Sequence, residues 1–139
     1  MRMDTHLIKQ TSLKTLAGTI SFPEVVGALL HAGVEYYHVD YVGLITTFYG
    51  ADGSVAVTPM TIENLPAIAP DYDVVAVRAA ILESQLNGQK FRDFSRRVMT
   101  AGVQGYYAFL RGRRVTYFGS QGDQHTEWFP GAAPVAPTA

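Results

Sequence analysis

One pattern occurs twice in this chain, first as AGVEYYHVDYVGLITTFYGADG at residues 32–53 and again as AGVQGYYAFLRGRRVTYFGSQG at residues 101–122. The two copies align without a gap at a shift of 69 residues, and eight of the 22 aligned positions are identical. The match continues on both sides of these segments. Nearly the whole chain is therefore predicted to be one structural unit used twice, at about residues 2–62 and 71–131.

Each unit is predicted to begin with two helices. The second helix of the first unit has Ser21 and Glu24 as a capping box, and apolar residues follow at the spacing of one helix face. Gly33 then ends this helix, and Gly102 ends its counterpart, which carries the same apolar stripe. Both glycines must turn the chain from helix into strand within one residue, so we expect positive φ at each of them.

The remainder of each unit reads as three antiparallel strands. Valine, tyrosine, phenylalanine and threonine are frequent after each stop glycine, and Gly43 and Gly112 interrupt these stretches at matching points, which predicts a hairpin turn. Two helix-helix-three-strand units predict an α+β fold, with an antiparallel sheet about a pseudo-twofold axis and the helices packed on one side. We expect one domain over residues 1–131 and a disordered Pro/Ala tail over residues 132–139.

Composition sets the class of protein. The chain has 139 residues, 47% of them hydrophobic, and a formal net charge of −1. It has no cysteine, which excludes disulfides, thiolate chemistry and cysteine-based metal sites. No apolar run approaches the roughly 18 residues of a membrane span, and the segment MRMDTHLIKQ lacks the apolar stretch of a signal peptide. These observations predict a cytoplasmic protein without membrane contact.

Basic residues are concentrated in the second half of the chain. The first 69 residues hold three basic and six acidic side chains, and the remaining 70 hold eight and six. Clustered arginines are typical of nucleic-acid binding, but usually on a strongly basic domain. At this overall charge a solvated surface is favoured, and nucleic acid is not expected as a partner. The arginines concerned are Arg92, Arg96, Arg97, Arg111, Arg113 and Arg114.

Several segments resemble a known family. They are AGVQGYYAFLRGRRVTYFG with the following GDQHTEWFP in the second half, and FPEVVGALLHAGVEYYHVDY in the first half. Over most of residues 20–130 the chain resembles the YdfO-like group of small bacterial and prophage proteins, often labelled phage envelope proteins. The resemblance implies a compact α+β domain, and it brings no catalytic residues with it.

Alternation along the first strand of each unit separates two faces. Tyr37, Val39 and Tyr41, with their counterparts in the second unit, form an apolar set that we expect to face the helices. The other face is polar in the first copy and aromatic in the second, and it is the predicted ligand-binding surface. Strand aromatics more often simply build the core, and the alternative hypothesis is that the aromatic residues of this face, with Tyr117 and Phe118, line an apolar pocket where the copies meet. The candidate ligand-binding residues are Tyr36, His38, Asp40, Tyr107, Phe109, Arg111 and Trp128.

Two pairs of imidazole and carboxylate side chains are candidates for chemistry. His38 and Asp40 lie two apart on one strand, and His125 and Glu127 do so on another. Four such groups on one side of neighbouring strands would suit Zn²⁺, Mn²⁺ or Fe²⁺, and either pair alone would suit acid–base catalysis. In the second copy, aromatic residues occupy the places of His38 and Asp40, so we expect no metal and no cofactor. An exposed polar strand face is the simplest reading.

Three functions follow from the sequence. The first is a non-catalytic domain that binds a small apolar or aromatic ligand, or a protein partner, through the aromatic and polar sheet face. The second is a small enzyme that uses a histidine–carboxylate pair, with His38, Asp40, His125 and Glu127 as candidates. The third is a nucleic-acid-binding regulator. The sequence does not indicate the oligomeric state.

Overall fold

The computed structural model describes residues 2–134 and confirms the predicted α+β fold, with four helices on one side of a six-stranded antiparallel sheet. The helices are α1 (Thr5–Ala17), α2 (Phe22–His31), α3 (Val74–Asn87) and α4 (Phe91–Thr100). The strands are β1 (Val34–Asp40), β2 (Ile45–Gly50), β3 (Val55–Pro59), β4 (Val103–Phe109), β5 (Arg114–Gly119) and β6 (Gln124–Trp128).

The sheet has the strand order β3–β2–β1–β4–β5–β6, so each repeat contributes three neighbouring strands. Every pairing in the first repeat recurs in the second at the shift of 69: Thr47 pairs with His38, and Thr116 pairs with Tyr107. The two repeats join through antiparallel pairing of β1 with β4, in which His38 lies opposite Tyr107. Those two residues are themselves equivalent under the shift. The pseudo-twofold axis therefore passes between them, at the centre of the sheet.

Helix ends agree with the sequence signals. Ser21 and Glu24 form the complete capping box of α2, and aspartates cap α1 and α3. Gly33 follows α2 with φ of 86°, and Gly102 follows α4 with φ of 94°, so the expectation of positive φ is confirmed at both. In the first hairpin turns, by contrast, the positive φ does not fall on a glycine. It falls on Leu44 and on Arg113, the residues that follow the turn glycines.

One hydrophobic core fills the space between the helices and the sheet. The sheet contributes Tyr37, Val39 and Tyr41 with their equivalents in β4 and beyond, all of them buried, as the alternation predicts. The helices contribute residues such as Leu29 and Val98, which are equivalent under the shift. Because strands of both repeats form the floor of this core, the two halves share it.

The end of the chain and the helix lengths complete the fold. Residues 135–139 of the predicted tail lie outside the described residues, and residues 132–134 form neither helix nor strand. Among the helices of the described residues, none has both the length and the apolar character needed to cross a membrane.

Candidate functional site

The face of the sheet that carries no helices is an aromatic surface, which we call the open face. At its centre Tyr36 stacks on Tyr49, with ring centroids 4.6 Å apart, and lies 5.9 Å from Phe109. Tyr107 in turn stacks on Phe109 at 5.9 Å. All of these side chains are only partly buried. The open face thus presents a row of aromatic rings that runs across both repeats.

His38 occupies the middle of the open face. Its ring stacks on Tyr107 at 4.4 Å and lies 5.8 Å from Phe118. Burial lowers the pKa of His38, and the nearby Asp40 carboxylate partly opposes this shift. Within residues 2–134 the Nε2 atom of His38 is buried without a hydrogen-bond partner. The surroundings therefore favour the neutral imidazole, packed as an aromatic ring rather than presented as a charge.

The other candidates on and beside the open face have local structural roles. The carboxylate of Asp40 accepts hydrogen bonds from the backbone N–H groups of Val42 and Gly43, each at 2.9 Å, and so holds the β1–β2 turn. Arg111 lies in the β4–β5 turn and donates to Glu35 at 3.1 Å. Trp128 shares the open face with Arg114, whose guanidinium lies 4.4 Å from the centre of the indole ring. Asp40 and Arg111 are therefore already engaged.

The two histidine–carboxylate pairs do not converge. His125 pairs with Tyr117 and Glu127 pairs with Val115 across the β5–β6 ladder, which places both on the helix side of the sheet. His38 and Asp40 lie on the open face, and strands β4 and β5 separate β1 from β6. The condition for a shared metal site is therefore not met. Among the described residues, no group of three or more histidine and carboxylate side chains is arranged to hold a metal ion.

A cavity of about 330 Å³ lies between the helices and the sheet. It is built around the pseudo-twofold axis, since many of its lining residues occur as pairs that are equivalent under the shift of 69. Examples are Tyr37 with Tyr106, Phe48 with Tyr117, and Thr46 with Val115. The residues of the predicted aromatic pocket do not all lie together: Tyr117 lies on the helix side of the sheet, whereas Phe118 lies on the open face. Of the candidate site residues, Glu127 and Trp128 line this cavity.

The tyrosines at the floor of the cavity are neutral. Burial raises the pKa values of Tyr37, Tyr106 and Tyr117 well above the ordinary value for a phenol. Their hydroxyl groups consequently stay protonated throughout the physiological pH range and can donate or accept hydrogen bonds. The cavity floor therefore combines apolar surface with neutral polar groups, a lining suited to small organic molecules.

The two repeats close the cavity unequally. In the first repeat α1 contacts the edge strand β3, where the hydroxyl oxygens of Ser12 and Thr58 are 2.8 Å apart. The equivalent residues of the second repeat are Ile81 and Glu127, which do not make this bond, and α3 has fewer contacts with β6 and α2 than α1 has with β3 and α4. Around this gap the lining residues Phe22, Pro23, Gln85, Gly88 and Pro130 are exposed, and they mark the opening of the cavity.

The chemistry available at the opening comes from one hydrogen-bonded pair. Nε2 of His125 lies 2.8 Å from Oε2 of Glu127. An imidazole held by a carboxylate can transfer protons. However, Glu127 lines the cavity and His125 does not, so the imidazole is not presented to a bound molecule. This arrangement favours binding over acid–base catalysis.

The arginines do not form one continuous patch on a single element. Arg92, Arg96 and Arg97 lie on α4, and the other three lie at the β4–β5 turn and the start of β5. All six are exposed. Two of these three have local partners, the carboxylate of Glu35 and the ring of Trp128 respectively. This distribution is that of a solvated surface.

Sequence reasoning missed the cavity because a gap between layers leaves little trace in the pattern of residues. One signal was present in α1, whose inward side carries Thr11, Ser12 and Thr15 instead of large apolar residues. These small side chains are poor helix formers, so the sequence weakened the prediction of the helix without revealing that its inner face borders empty space. Small side chains on the inward face of a helix, where large apolar residues are usual, are therefore the sequence signal of a cavity.

Comparison with known proteins adds no relative. No protein-family model matches the chain, and no curated protein matches it either.

Proposed function

We propose that the chain is a non-catalytic domain that binds one small, largely apolar molecule in the cavity between its helices and its sheet. The observation that carries this proposal is the cavity itself, with a volume of about 330 Å³ and an opening between α3, the start of α2 and the end of β6. This volume lies within the range of about 300 to 1,000 Å³ that is usual for sites of small organic ligands.

The lining supports binding of an apolar body with a few polar atoms. Aromatic rings from both repeats contribute to the wall, and the phenol groups of Tyr37, Tyr106 and Tyr117 are among the polar groups of the floor. A ligand that fills the cavity gains dispersion contacts with this lining, and it stabilises the folded chain by mass action.

A filled cavity tests this proposal. Thr46 lies on the helix side of β2 and lines the cavity, whereas the next residue, Thr47, points to the open face. The probe is N-phenyl-1-naphthylamine, an uncharged dye whose fluorescence rises in apolar surroundings. We expect the dye to bind the unaltered chain. Thr46→Phe should weaken binding at least about tenfold, because the new ring occupies the cavity, and Thr47→Phe should leave the affinity within about twofold.

The matched pair separates the two faces of the sheet. Equal binding by all three proteins, or no binding by the unaltered chain, would contradict the proposal. Loss of binding in Thr47→Phe alone would move the ligand to the open face, where the sequence places it. Circular dichroism of both variants checks that each one is folded.

Self-association through the open face is the second candidate, favoured by the row of uncovered aromatic rings. A second copy of this chain is the partner that fits, because a twofold interface needs a patch complementary to itself. With six strands about 4.8 Å apart and five residues of about 3.3 Å each, the face measures roughly 500 Å² in projection. A stable interface takes about 800 Å² from each partner. We therefore expect weak association only, which ranks this candidate second.

Sedimentation equilibrium over a range of concentrations tests this candidate. Val57 lies on the open face and Leu13 lies on α1, and both are apolar and more than half exposed. We expect reversible dimerisation that Val57→Lys abolishes and Leu13→Lys leaves unchanged, since a lysine inside the interface would be buried without a partner. A monomer at all concentrations, or the same effect from both variants, would exclude the open face as the dimer interface.

Membership of the YdfO-like group and a cytoplasmic location are part of this proposal. The first is supported by the segments of residues 20–130 that resemble the group, and the second by the lack of an apolar run long enough to span a membrane. Cell fractionation of the native host with an antibody against the chain tests the location.

A further inference from the structure

We infer that the cavity selects molecules that carry a positive charge on an apolar body, such as aromatic or aliphatic amines. This inference rests on the proposed ligand-binding function and adds the chemical class of the ligand. It is carried by Glu127, which stands at the opening of the cavity.

Glu127 is the one side chain with a formal charge among the described residues that line the cavity. The other lining residues are apolar, aromatic, hydroxyl or amide side chains, or glycine and proline. An anionic ligand would therefore meet a carboxylate and no lysine, arginine or histidine in the cavity wall, since His125 contacts Glu127 but does not line the cavity. A cationic ligand would meet its counter-charge at the edge of an apolar wall, where an ion pair is stronger than in open water.

The carboxylate is available to a ligand. Its side chain is 36% exposed, and among the described residues His125 is its only hydrogen-bond partner, through Oε2 at 2.8 Å. No lysine or arginine within residues 2–134 forms an ion pair with it. The equivalent position in the first repeat is the uncharged Thr58, which is buried and bonded to Ser12. The negative charge is therefore present at one end of the cavity only.

Two further features at the opening favour a cation. Phe22 and Phe129 meet edge to face there, with ring centroids 5.2 Å apart, and the faces of aromatic rings attract positive charge. Helix α3 also ends beside the opening, with Gly88 as its C-cap, and no basic residue lies in its last turn. The C-terminal end of a helix carries a partial negative charge of roughly half a unit.

Three probes with one skeleton test the selection by isothermal titration calorimetry at neutral pH: 1-naphthylmethylamine, which is a cation, 1-naphthylmethanol, which is neutral, and 1-naphthoate, which is an anion. We expect the amine to bind about tenfold more tightly than the alcohol. This ratio corresponds to the lower end of the free-energy range for a hydrogen bond to a charged group, because Glu127 is partly exposed. The anion should bind most weakly.

Glu127→Gln removes the charge and keeps the shape. We expect the amine to fall to the affinity of the alcohol in this variant, and the alcohol to bind within about twofold of its original affinity, which also shows that the variant is folded. Glu63→Gln is the matched control, since Glu63 is exposed, lies in the segment between the repeats and does not line this cavity. It should leave all three affinities unchanged.

The outcomes separate the inference from the function on which it rests. If the alcohol binds and is lost in Thr46→Phe, but the amine has no advantage or keeps its advantage in Glu127→Gln, the cavity is a ligand site and the selection of cations is wrong. If an equal loss occurs in Glu63→Gln, the preference reflects overall charge, and the inference fails. If none of the three probes binds, the proposed function itself is contradicted.

Discussion

The outer edges of the two repeats differ more than their centres do. In the first repeat the edge strand β3 is tied to α1 through Ser12 and Thr58, whereas in the second repeat Ile81 and Glu127 occupy the equivalent positions and α3 has fewer contacts with β6. The strand registers of the two repeats are otherwise the same. We call the edge of the first repeat, which has this hydrogen bond, the closed edge, and the edge of the second repeat, which lacks it, the open edge.

The largest expected difference between the repeats lies at the two stop glycines. A Cβ at Gly33 would find its nearest neighbour, the Cα atom of Met3, at 3.5 Å, whereas a Cβ at Gly102 would collide with the backbone carbonyl of Asp71. Both positions have positive φ, which alone costs about 1 kcal/mol for alanine. We expect Gly33→Ala to lower the free energy of unfolding by about 1 kcal/mol and Gly102→Ala by about 2 to 4 kcal/mol.

Urea denaturation of both alanine variants measures this difference. Equal losses would mean that the segment before α3 can move away at no cost, and that the second repeat is not held more tightly at this point than the first.

The closed edge should respond next most strongly. Thr58→Val keeps the shape of the side chain and removes its hydrogen bond to Ser12. The partly buried hydroxyl of Ser12 is then left without this partner. We expect a loss of about 1 kcal/mol in the free energy of unfolding. Glu127→Gln at the open edge should change stability by less than about 0.5 kcal/mol, since that side chain is partly exposed and bonded only to its neighbour on the strand. Matching losses at both edges would remove the distinction between them.

The first hairpin turns are stabilised differently in the two repeats. Asp40 accepts two backbone hydrogen bonds in the β1–β2 turn, and its equivalent, Phe109, instead joins the aromatic row of the open face. We expect Asp40→Ala to cost about 0.5 to 1 kcal/mol, the range for loss of a local carboxylate cap. Thermal unfolding followed by circular dichroism checks this value. An unchanged melting temperature would show that the turn does not depend on the carboxylate.

The smallest effect concerns pH. Burial lowers the pKa of His38 in the folded state, so the unfolded chain binds the proton more readily. The stability that comes from neutral His38 is complete above its unfolded pKa of about 6.5 and is lost as the pH falls below that value. We expect the unaltered chain to lose more stability between pH 7.5 and 5.5 than His38→Tyr, which copies Tyr107 of the second repeat.

Both proteins contain the other three histidines, so the difference between their pH profiles isolates His38. Parallel profiles from pH 7.5 to 5.5 would show that the imidazole is as well solvated in the folded chain as in the unfolded one.

The scaffold followed from the sequence because its signals are local. The spacing of Gly33 and Gly102 predicted the length of the repeat, and capping residues such as Ser21 and Glu24 predicted where a helix begins. Alternation correctly separated the buried face of β1 from the open face. The location of positive φ in the first turns was not predicted, since Leu44 and Arg113 are residues that seldom adopt it.

The site was harder to predict because it depends on pairing and on missing contacts. The face on which His125 and Glu127 lie follows from the register of β6 against β5, and a shift of one residue would reverse it. The cavity depends on how the helices pack against the sheet, which no residue pattern of this chain encodes. For this reason the sequence directed attention to the open face and did not indicate the cavity that Thr46 and other residues line.

The position of His38 on the pseudo-twofold axis bears on how the two repeats evolved from one. If two copies of a single repeat formed the same sheet, the residue on the twofold axis would lie opposite the same residue of the other copy. That pair would be two histidines for the first repeat or two tyrosines for the second. The stacked pair of His38 and Tyr107, with ring centroids 4.4 Å apart, is therefore a contact that no symmetric homodimer of either repeat can form. Only after gene duplication and fusion can the two sides of that contact mutate independently.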